Sequence, residues 1–239
     1  MGLHRFFCAD ITPNEVLLDE EEFHHLRVLR LDKDGQEVEV FDGNGSHRIV
    51  RVVRGKRGIR FVAETPVVRD KPFSPQITLA VSPPKGERLD TLIQMGQELA
   101  LNRLVPMFCE RSPERATKAK LRLGRLRKVA LSAAKQSEVN FLTEICEPME
   151  FEAIIQRAKE YSLSLIFTPH SAERITNLLR QKRDISSVLY LIGPEGDFTE
   201  DELEEAKSYG CVAVTMPLPV LRIETASVAA LTLLRCLSE

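Results

Sequence analysis

Residues 1–70 alternate polar and apolar positions in several short runs, a pattern that is typical of half-buried β-strands. The turn-forming segments Asp42–Gly45 and Gly55–Gly58 separate the last three runs. One stretch has helical spacing instead, and Asp19 can cap this helix over Glu20–Arg30. Several short strands with tight turns predict a small β-barrel. The predicted strands are Leu3–Cys8, Glu37–Phe41, His47–Val53 and Ile59–Ala63.

A segment with two prolines, Asp70–Pro75, ends this pattern, since proline can continue neither a central strand nor a helix. We place a domain boundary there and predict domains over residues 1–72 and 73–239. From Gln76 onward apolar strands alternate with helices, which predicts an α/β fold with a mostly parallel sheet covered on both faces. The predicted strands are Ile77–Ser82, Arg103–Phe108, Leu163–Thr168, Val188–Gly193 and Cys211–Met216. The predicted helices are Glu87–Leu99, Lys118–Ser137, Phe151–Tyr161, Ala172–Gln181, Glu200–Tyr209 and Ile223–Leu237.

The amino-acid composition limits the classes of protein to which this chain can belong. Hydrophobic residues make up 43% of the chain and charged residues 28%, an ordinary globular balance. No apolar run approaches the length of a membrane helix, and the N-terminus has no secretory core. The five cysteines are scattered without C-x-x-C spacing, which favours a reduced, cytoplasmic protein without a metal site.

The net charge of −2 hides two basic segments. Residues 111–135 carry nine Lys and Arg against one acid, and His47–Arg60 carries six Lys and Arg and no acid. Each segment alone is compatible with a solvated surface. Together they indicate an anionic partner such as nucleic acid about as strongly as they indicate plain solvation.

Three predicted loops follow the carboxyl ends of the last three strands, where open parallel sheets bind ligands. They are Thr168–Ser171, Gly193–Phe198 and Met216–Arg222. Neither G-x-G-x-x-G nor G-x-x-x-x-G-K-[ST] occurs, which disfavours dinucleotides and nucleoside triphosphates. Thr199 and Glu202 form a capping box, but this box does not explain the preceding Gly193–Gly196.

Arg222 lies at the predicted start of the last helix, where the helix dipole opposes a positive charge. It therefore needs an anionic partner. That partner is either a neighbouring carboxylate, Glu195 or Glu224, or a bound substrate.

Two paired segments, Gly193–Thr199 and Leu221–Ala226, resemble the signature of the 16S rRNA uridine-1498 N3-methyltransferases of the SPOUT superfamily. The resemblance continues along nearly the whole chain in the same order. The further matching segments are His24–Arg30, Phe41–Gly43, Glu98–Ala100, Glu110–Ser112 and Ala133–Ser137. The chain departs from the family pattern at Met95, Ala100, Glu138, Val139 and Asp197. These departures leave the cofactor loops intact and concern the RNA-facing details and, to a lesser degree, the target nucleotide.

The resemblance implies an N-terminal PUA-like β-barrel that binds RNA, followed by a SPOUT methyltransferase domain with a C-terminal trefoil knot. It also implies S-adenosylmethionine as cofactor, small-subunit ribosomal RNA as substrate, and a homodimer. The implied cofactor residues are Thr168, Leu191, Gly193, Glu195, Gly196, Leu218, Leu221 and Arg222. For this chemistry we assign Arg222 the catalytic role of stabilising the uracil anion; His170 is a weak candidate for the base.

The barrel and the basic helix supply the expected RNA contacts. The candidates are Arg5, His24, Arg30, Arg48, Arg51, Lys118, Lys120, Arg122 and Arg125. Three alternatives stay open at this point. They are a SPOUT enzyme for another rRNA or tRNA nucleotide, an RNA-binding ribosome assembly factor without catalysis, and a nucleotide-dependent α/β enzyme.

Overall fold

A computed structural model describes residues 2–56, 58–112, 122–182 and 184–237 of the chain. The chain divides into two compact units. The first contains Met1–Pro72 and also Ala134–Leu142; the second contains Phe73–Ala133 and Thr143–Glu239. Within the described ranges, no helix is both long and apolar enough to cross a lipid bilayer.

The first unit is built on a six-stranded sheet. Its strands are β1 (Arg5–Phe7), β2 (Glu15–Val16), β3 (Glu37–Phe41), β4 (Ser46–Gly55), β5 (Gly58–Ala63) and β6 (Val68–Arg69). The order is β1-β3-β4-β5-β2, and β6 pairs with β4. Buried and half-buried residues alternate along the first eight positions of β4, as its sequence predicts. The alternation places Val50 and Val52 in a core with Phe6 and Val38.

Helix α1 (Glu20–Val28) begins where the sequence predicts. Asp19 accepts a hydrogen bond from the backbone N–H of Glu22 at 2.7 Å. Glu22 is itself buried, and its carboxylate accepts from the N–H of Phe7 and pairs with Lys135. The helix is therefore fixed at its start by a cap and along one side by a buried ion pair.

Ala134–Leu142 packs against the sheet of the first unit, which the strand pattern could not reveal. Arg5 Nη1 donates to the carbonyl of Ala134 at 3.1 Å, and Arg5 also bonds to Asn140. The ring of Phe141 lies where a Cβ on Gly45 would stand, 2.2 Å from that position. Gly45 also has a φ of +95°, so this turn requires glycine for both reasons.

The second unit contains a seven-stranded, wholly parallel sheet in the order β10-β8-β7-β12-β11-β13, with β9 also paired to β8. Its strands are β7 (Gln76–Val81), β8 (Arg103–Phe108), β9 (Glu144–Ile145), β10 (Met149–Glu150), β11 (Leu163–Phe167), β12 (Ser187–Ile192) and β13 (Val212–Val214). Its helices are α2 (Arg88–Glu98), α3 (Leu123–Ser137), α4 (Phe151–Ile155), α5 (Ile175–Gln181), α6 (Glu200–Ser208) and α7 (Ile223–Leu237), of which α3 ends within the first unit. The parallel sheet confirms the predicted α/β class.

Apolar side chains from the two faces of this sheet enter separate clusters. Leu79 and Tyr190 belong to one cluster, with helices α2 and α7 over it. Ala80 and Leu191 belong to the other, with residues of α4 and α6. Neighbouring strand residues thus alternate between the faces, which explains why these strands are apolar throughout.

The helices predicted over Phe151–Tyr161 and Ala172–Gln181 were too long. The helix expected over Phe151–Tyr161 ends at Ile155, and a single 3-10 turn, Ala158–Glu160, follows it. The carbonyl of Ala158 accepts from Ser164 Oγ at 2.8 Å, a tertiary contact that periodicity cannot indicate. The helix expected from Ala172 begins at Ile175.

Candidate active site

The three loops that follow β11, β12 and β13 meet around one cleft of about 360 Å³. The loop after β12, which contains Gly193–Gly196, faces the loop after β13 and the start of α7. The two segments that carry the sequence resemblance are thus brought together. Of the predicted cofactor residues, those lining the cleft are Thr168, Gly193, Glu195, Leu218, Leu221 and Arg222.

Leu191 and Gly196 do not line the cleft. Leu191 is buried in the hydrophobic cluster on one face of the sheet. Gly196 is exposed, and its carbonyl accepts from Arg111 Nη1 at 2.9 Å. These two positions support the loop rather than form its inner surface.

Several lining residues were not predicted, because they belong to the strands and helix and not to the loops. Phe167, Ile192 and Val214 are the last residues of their strands, and Ile223 and Ala226 are on the first turns of α7. They give the cleft an apolar floor. Their position immediately before or after a predicted loop is the signal that could have identified them.

The first loop is tied to the other two through Thr168. Its N–H donates to the carbonyl of Val214 at 3.0 Å, and its Oγ1 donates to Asp197 Oδ2 at 2.7 Å. Asp197 has a φ of +60°, and its N–H donates to the carbonyl of Pro194 at 3.0 Å. The family pattern has glycine at this position, and the left-handed backbone explains that preference. Aspartate is among the few other residues that adopt this conformation readily.

Gly193 is glycine because of Phe198. A Cβ on Gly193 would lie 3.0–3.2 Å from three ring atoms of Phe198. That ring is buried and packs against Phe151 at 5.5 Å between centroids, so it has little freedom to shift. The close approach brings the loop back towards α6, whose capping box between Thr199 and Glu202 is present as predicted.

The segment after β8 supports the same loop from outside the cleft. Arg111 Nη1 donates to the carbonyls of Gly196 at 2.9 Å and Phe198 at 3.4 Å. The N–H of Glu110 donates to Glu202 Oε1 at 2.8 Å. Glu110–Ser112, a matching segment in the sequence, therefore positions the loop after β12.

Arg222 lines the cleft and is exposed to solvent. Both carboxylates that the sequence offered as its partners pair with Arg88 instead. Arg88 Nη2 lies 3.3 Å from Glu195 Oε1, and Arg88 Nη1 lies 3.9 Å from Glu224 Oε2. Among the residues that the structure describes, the Arg222 side chain has no ion pair. Sequence reasoning missed Arg88, which precedes Glu195 by 107 positions.

His170, the weak candidate for a base, is exposed and does not line the cleft. Its backbone N–H donates to Thr168 Oγ1 at 3.4 Å. In the described ranges, no three His, Cys, Asp or Glu residues are grouped as metal ligands.

The residues predicted to contact RNA differ in how accessible they are. Arg5 and Arg48 are buried, and Arg48 donates to the carbonyls of Ile11, Thr12, Pro13 and Thr65. Arg5 pairs with Glu39 at 2.9 Å, while Arg51 pairs with Glu37 and Glu64. These three arginines are occupied within the first unit.

The other predicted RNA contacts are more accessible. His24, Arg30 and Arg122 are exposed. Arg125 is exposed but forms an ion pair with Asp90. Lys118 and Lys120 lie outside the residues that the structure describes.

Known proteins resemble this chain over almost its full length. Ribosomal RNA small subunit methyltransferase E of Synechocystis is 29% identical over 232 residues, covering 96% of this chain and 75% of that protein. The Bacillus subtilis protein of the same name is 26% identical over 231 residues, covering 92% and 89%.

Solved structures are similar as well. That of the Neisseria gonorrhoeae ribosomal RNA small subunit methyltransferase E, bound to S-adenosylmethionine, has a TM-score of 0.82 at 27% identity, covering 99% of this chain and 98% of that one. A Legionella pneumophila structure with bound SAM has a TM-score of 0.86 at 26% identity, with the same coverage.

Family models agree with these likenesses. A model described as an RNA methyltransferase PUA domain matches residues 18–64, which confirms the PUA-like N-terminal fold. A model described as an RNA methyltransferase domain matches residues 71–235. Because this second match spans well over half of the chain, the protein belongs to the RNA methyltransferase family.

Proposed function

We propose that this protein transfers a methyl group from S-adenosylmethionine to N3 of a uridine in 16S ribosomal RNA, at the position equivalent to uridine 1498. The observation that carries the proposal is the shared cleft. Gly193 and Glu195 line it on one side, and Leu221 and Arg222 on the other. These residues belong to the two segments that most specifically resemble the family, and the Synechocystis and Bacillus subtilis relatives described above are named as small-subunit rRNA methyltransferases.

The cleft fits S-adenosylmethionine in size and chemistry. Its volume of about 360 Å³ is in the range of small-molecule sites. Phe167, Ile192 and Val214 offer apolar surface for an adenine ring, while loop backbone groups are close enough to read its polar edge. No glycine-rich phosphate loop is present in the sequence, which disfavours a phosphate ligand in this cleft. Leu191 and Gly196 would act by shaping these loops.

The cofactor supplies an already activated methyl group, so the protein must mainly place the acceptor nitrogen in line with it. N3 of uracil carries a proton that must leave, and negative charge then spreads to the two flanking carbonyl oxygens. The guanidinium of Arg222 faces the cleft without a carboxylate partner among the described residues. It is therefore available to stabilise that charge as it develops.

Residues 1–72 would serve as the RNA-binding domain, and residues 73–239 as the SPOUT methyltransferase domain. His24 and Arg30 in the first unit and Arg122 in the second remain candidates for phosphate contacts, as do Lys118 and Lys120. Arg5, Arg48 and Arg51 are better explained by their internal partners. A uridine in folded RNA must be turned out of its stack to reach the cleft.

The same resemblance supports a trefoil knot around the cleft and a homodimer acting in the cytoplasm, where small subunits are assembled. Static light scattering tests the dimer. A monomeric mass at micromolar concentration would remove it from the proposal.

Methyl transfer to isolated small ribosomal subunits tests the function directly. Labelled S-adenosylmethionine and subunits from cells lacking the protein should yield one labelled uridine, which mass spectrometry of RNA fragments can locate. Label at another nucleotide would favour the alternative SPOUT specificity, which the departures at Met95 and Val139 keep open. Binding of subunits without any transfer would favour an assembly factor instead.

A further inference from the structure

Arg88 joins the loop between β7 and α2 to two segments that line the cleft. Its Nε donates to the carbonyl of Lys85 at 3.0 Å, in the loop between β7 and α2. Its Nη2 donates to Glu195 Oε1 at 3.3 Å, and its Nη1 lies 3.9 Å from Glu224 Oε2. One guanidinium thus reaches the loop after β12 and the first turn of α7 at the same time.

Glu224 has a particular need for this arrangement. Its side chain is only 13% exposed, and its Oε2 has no hydrogen-bond donor among the described residues. A carboxylate so placed is costly unless a positive charge lies near it. The N-terminus of α7 offers part of that charge, and Arg88 supplies a full one.

The position of Arg88 determines which arginine faces the carboxylates. Glu195 and Arg222 line the same cleft, and Glu224 is two residues beyond Arg222 at the start of α7. With Arg88 in place, both carboxylates have an ion-pair partner. Without it, Arg222, which lines the same cleft as Glu195, lies two residues before Glu224 and has no ion pair among the described residues, would be free to pair with them.

We infer that Arg88 is a positioning residue for methyl transfer: it holds Glu195 and Glu224 and so leaves the guanidinium of Arg222 available to the uracil oxygens. The inference rests on the proposed function. Lysine could not replace Arg88 fully, because a single ammonium cannot span two carboxylates as a planar fork does.

The test measures methyl transfer to small subunits by wild type and by R88A, R88K, E224Q and R88A/E224Q proteins. We expect R88A to lower kcat by about tenfold or more, with the KM for subunits within about threefold, and R88K to be intermediate. Removing the carboxylate charge in R88A/E224Q should restore kcat at least threefold relative to R88A. E224Q would also relieve the cost of an unpaired buried carboxylate, so the thermal unfolding of each variant separates this role from an effect on stability.

Arg103→Ala is the matched control, since Arg103 is also a partly exposed arginine paired with a glutamate, Glu144, but does not line the cleft. We expect it to retain wild-type kcat. The inference is overturned if R88A turns over like wild type. It is also overturned if R88A raises only the KM for subunits and E224Q restores nothing, because Arg88 would then bind RNA phosphate directly.

Failure of this inference is distinguishable from failure of the proposed function. A wild-type protein that transfers no methyl group contradicts the function itself. An active wild type with an equally active R88A contradicts only the role of Arg88. Thermal unfolding of each variant, followed by circular dichroism, identifies a variant that has lost its fold, in which case the milder R88K and its pairing with E224Q decide.

Discussion

Thr168 donates a hydrogen bond of 2.7 Å from its Oγ1 to Oδ2 of Asp197 and so links the loops after β11 and β12. Asp197 is one of the positions where this chain departs from the family pattern, which has glycine there. The backbone at this position is left-handed, with a φ of +60°, which explains why the family has glycine here. The carboxylate of Asp197 adds a link that glycine could not make. The departure therefore leaves the shape of the cofactor loop intact and strengthens its attachment.

Substitutions at Asp197 should separate the backbone effect from the hydrogen bond. Asp197→Ala loses both the bond and the tolerance for a left-handed φ, and should lower the free energy of unfolding by about 2 kcal/mol. Asp197→Gly keeps the tolerance but loses the side-chain hydrogen bonds from Thr168 Oγ1 and from the N–H of Phe198, and should cost about 1 kcal/mol. Asp197→Asn keeps both an acceptor and the tolerance, and serves as the control. Urea denaturation ranks the three, and equal losses for alanine and glycine would contradict this explanation.

The regular elements of the second unit could be predicted because their causes are local. The ends of Arg103–Phe108 and Ile223–Leu237 agree with the structure to the residue. Apolar runs bounded by turn residues define such strands, and a 3.6-residue period defines the helix. Strands of two residues, such as β9 and β10, carry no such pattern and were missed.

Contacts between distant segments could not be predicted. The sequence places Ala134–Leu142 in the α/β domain, yet it packs in the first unit through Arg5 and Phe141. The positive charge of its segment predicted that Arg48 binds RNA. Arg48 is instead buried, and it donates hydrogen bonds to four carbonyl groups. The charge pattern of a sequence shows where basic residues lie along the chain, but not which internal carbonyl groups their side chains bind. The family resemblance, rather than periodicity, identified the cofactor loops.

Arg222→Ala tests the catalytic assignment. Removing the guanidinium should leave the Kd for S-adenosylmethionine within about tenfold of wild type, because the cleft walls remain, while kcat falls by about a hundredfold or more. Calorimetry measures the first quantity and labelled methyl transfer the second. Arg180→Ala, at an exposed position on α5, is the control and should behave as wild type. Unchanged turnover in Arg222→Ala would remove this residue from the mechanism.

Arg48→Ala should weaken the fold of the first unit rather than its affinity for RNA. Arg48 is only 7% exposed. Its guanidinium donates to the carbonyl of Thr65 at 2.6 and 2.9 Å and to the carbonyl of Ile11 at 3.0 Å. Losing these charged donors leaves several carbonyl groups unpaired, at a cost of about 3 kcal/mol. Thermal unfolding should show a marked fall in Tm.

The comparison for Arg48 is Arg30→Ala, which replaces an exposed cation of the same unit. This substitution should leave the Tm nearly unchanged. If Arg30 contacts a phosphate, it should reduce the slope of log K against log salt by about one. An Arg48→Ala protein with wild-type Tm and a reduced salt slope would reverse the two assignments.

Gly193 and Gly196 belong to the same loop but should differ sharply in their tolerance of alanine. A Cβ on Gly193 would lie 3.0 Å from Phe198 Cε2, and Phe151 prevents the ring from moving away. A Cβ on Gly196 would meet only the flexible side chain of Arg111, at 3.5 and 3.7 Å. Gly193→Ala should therefore lower the free energy of unfolding by about 1–3 kcal/mol, as overpacking does, and weaken cofactor binding, while Gly196→Ala changes both slightly. Phe198→Leu, by shortening the obstructing side chain, should recover part of the affinity lost in Gly193→Ala. Calorimetric titration with S-adenosylmethionine measures the affinity of the wild type, Gly193→Ala, Gly196→Ala and the double variant Gly193→Ala/Phe198→Leu. Equal effects at the two glycines would show that the contact with Phe198 does not constrain the loop.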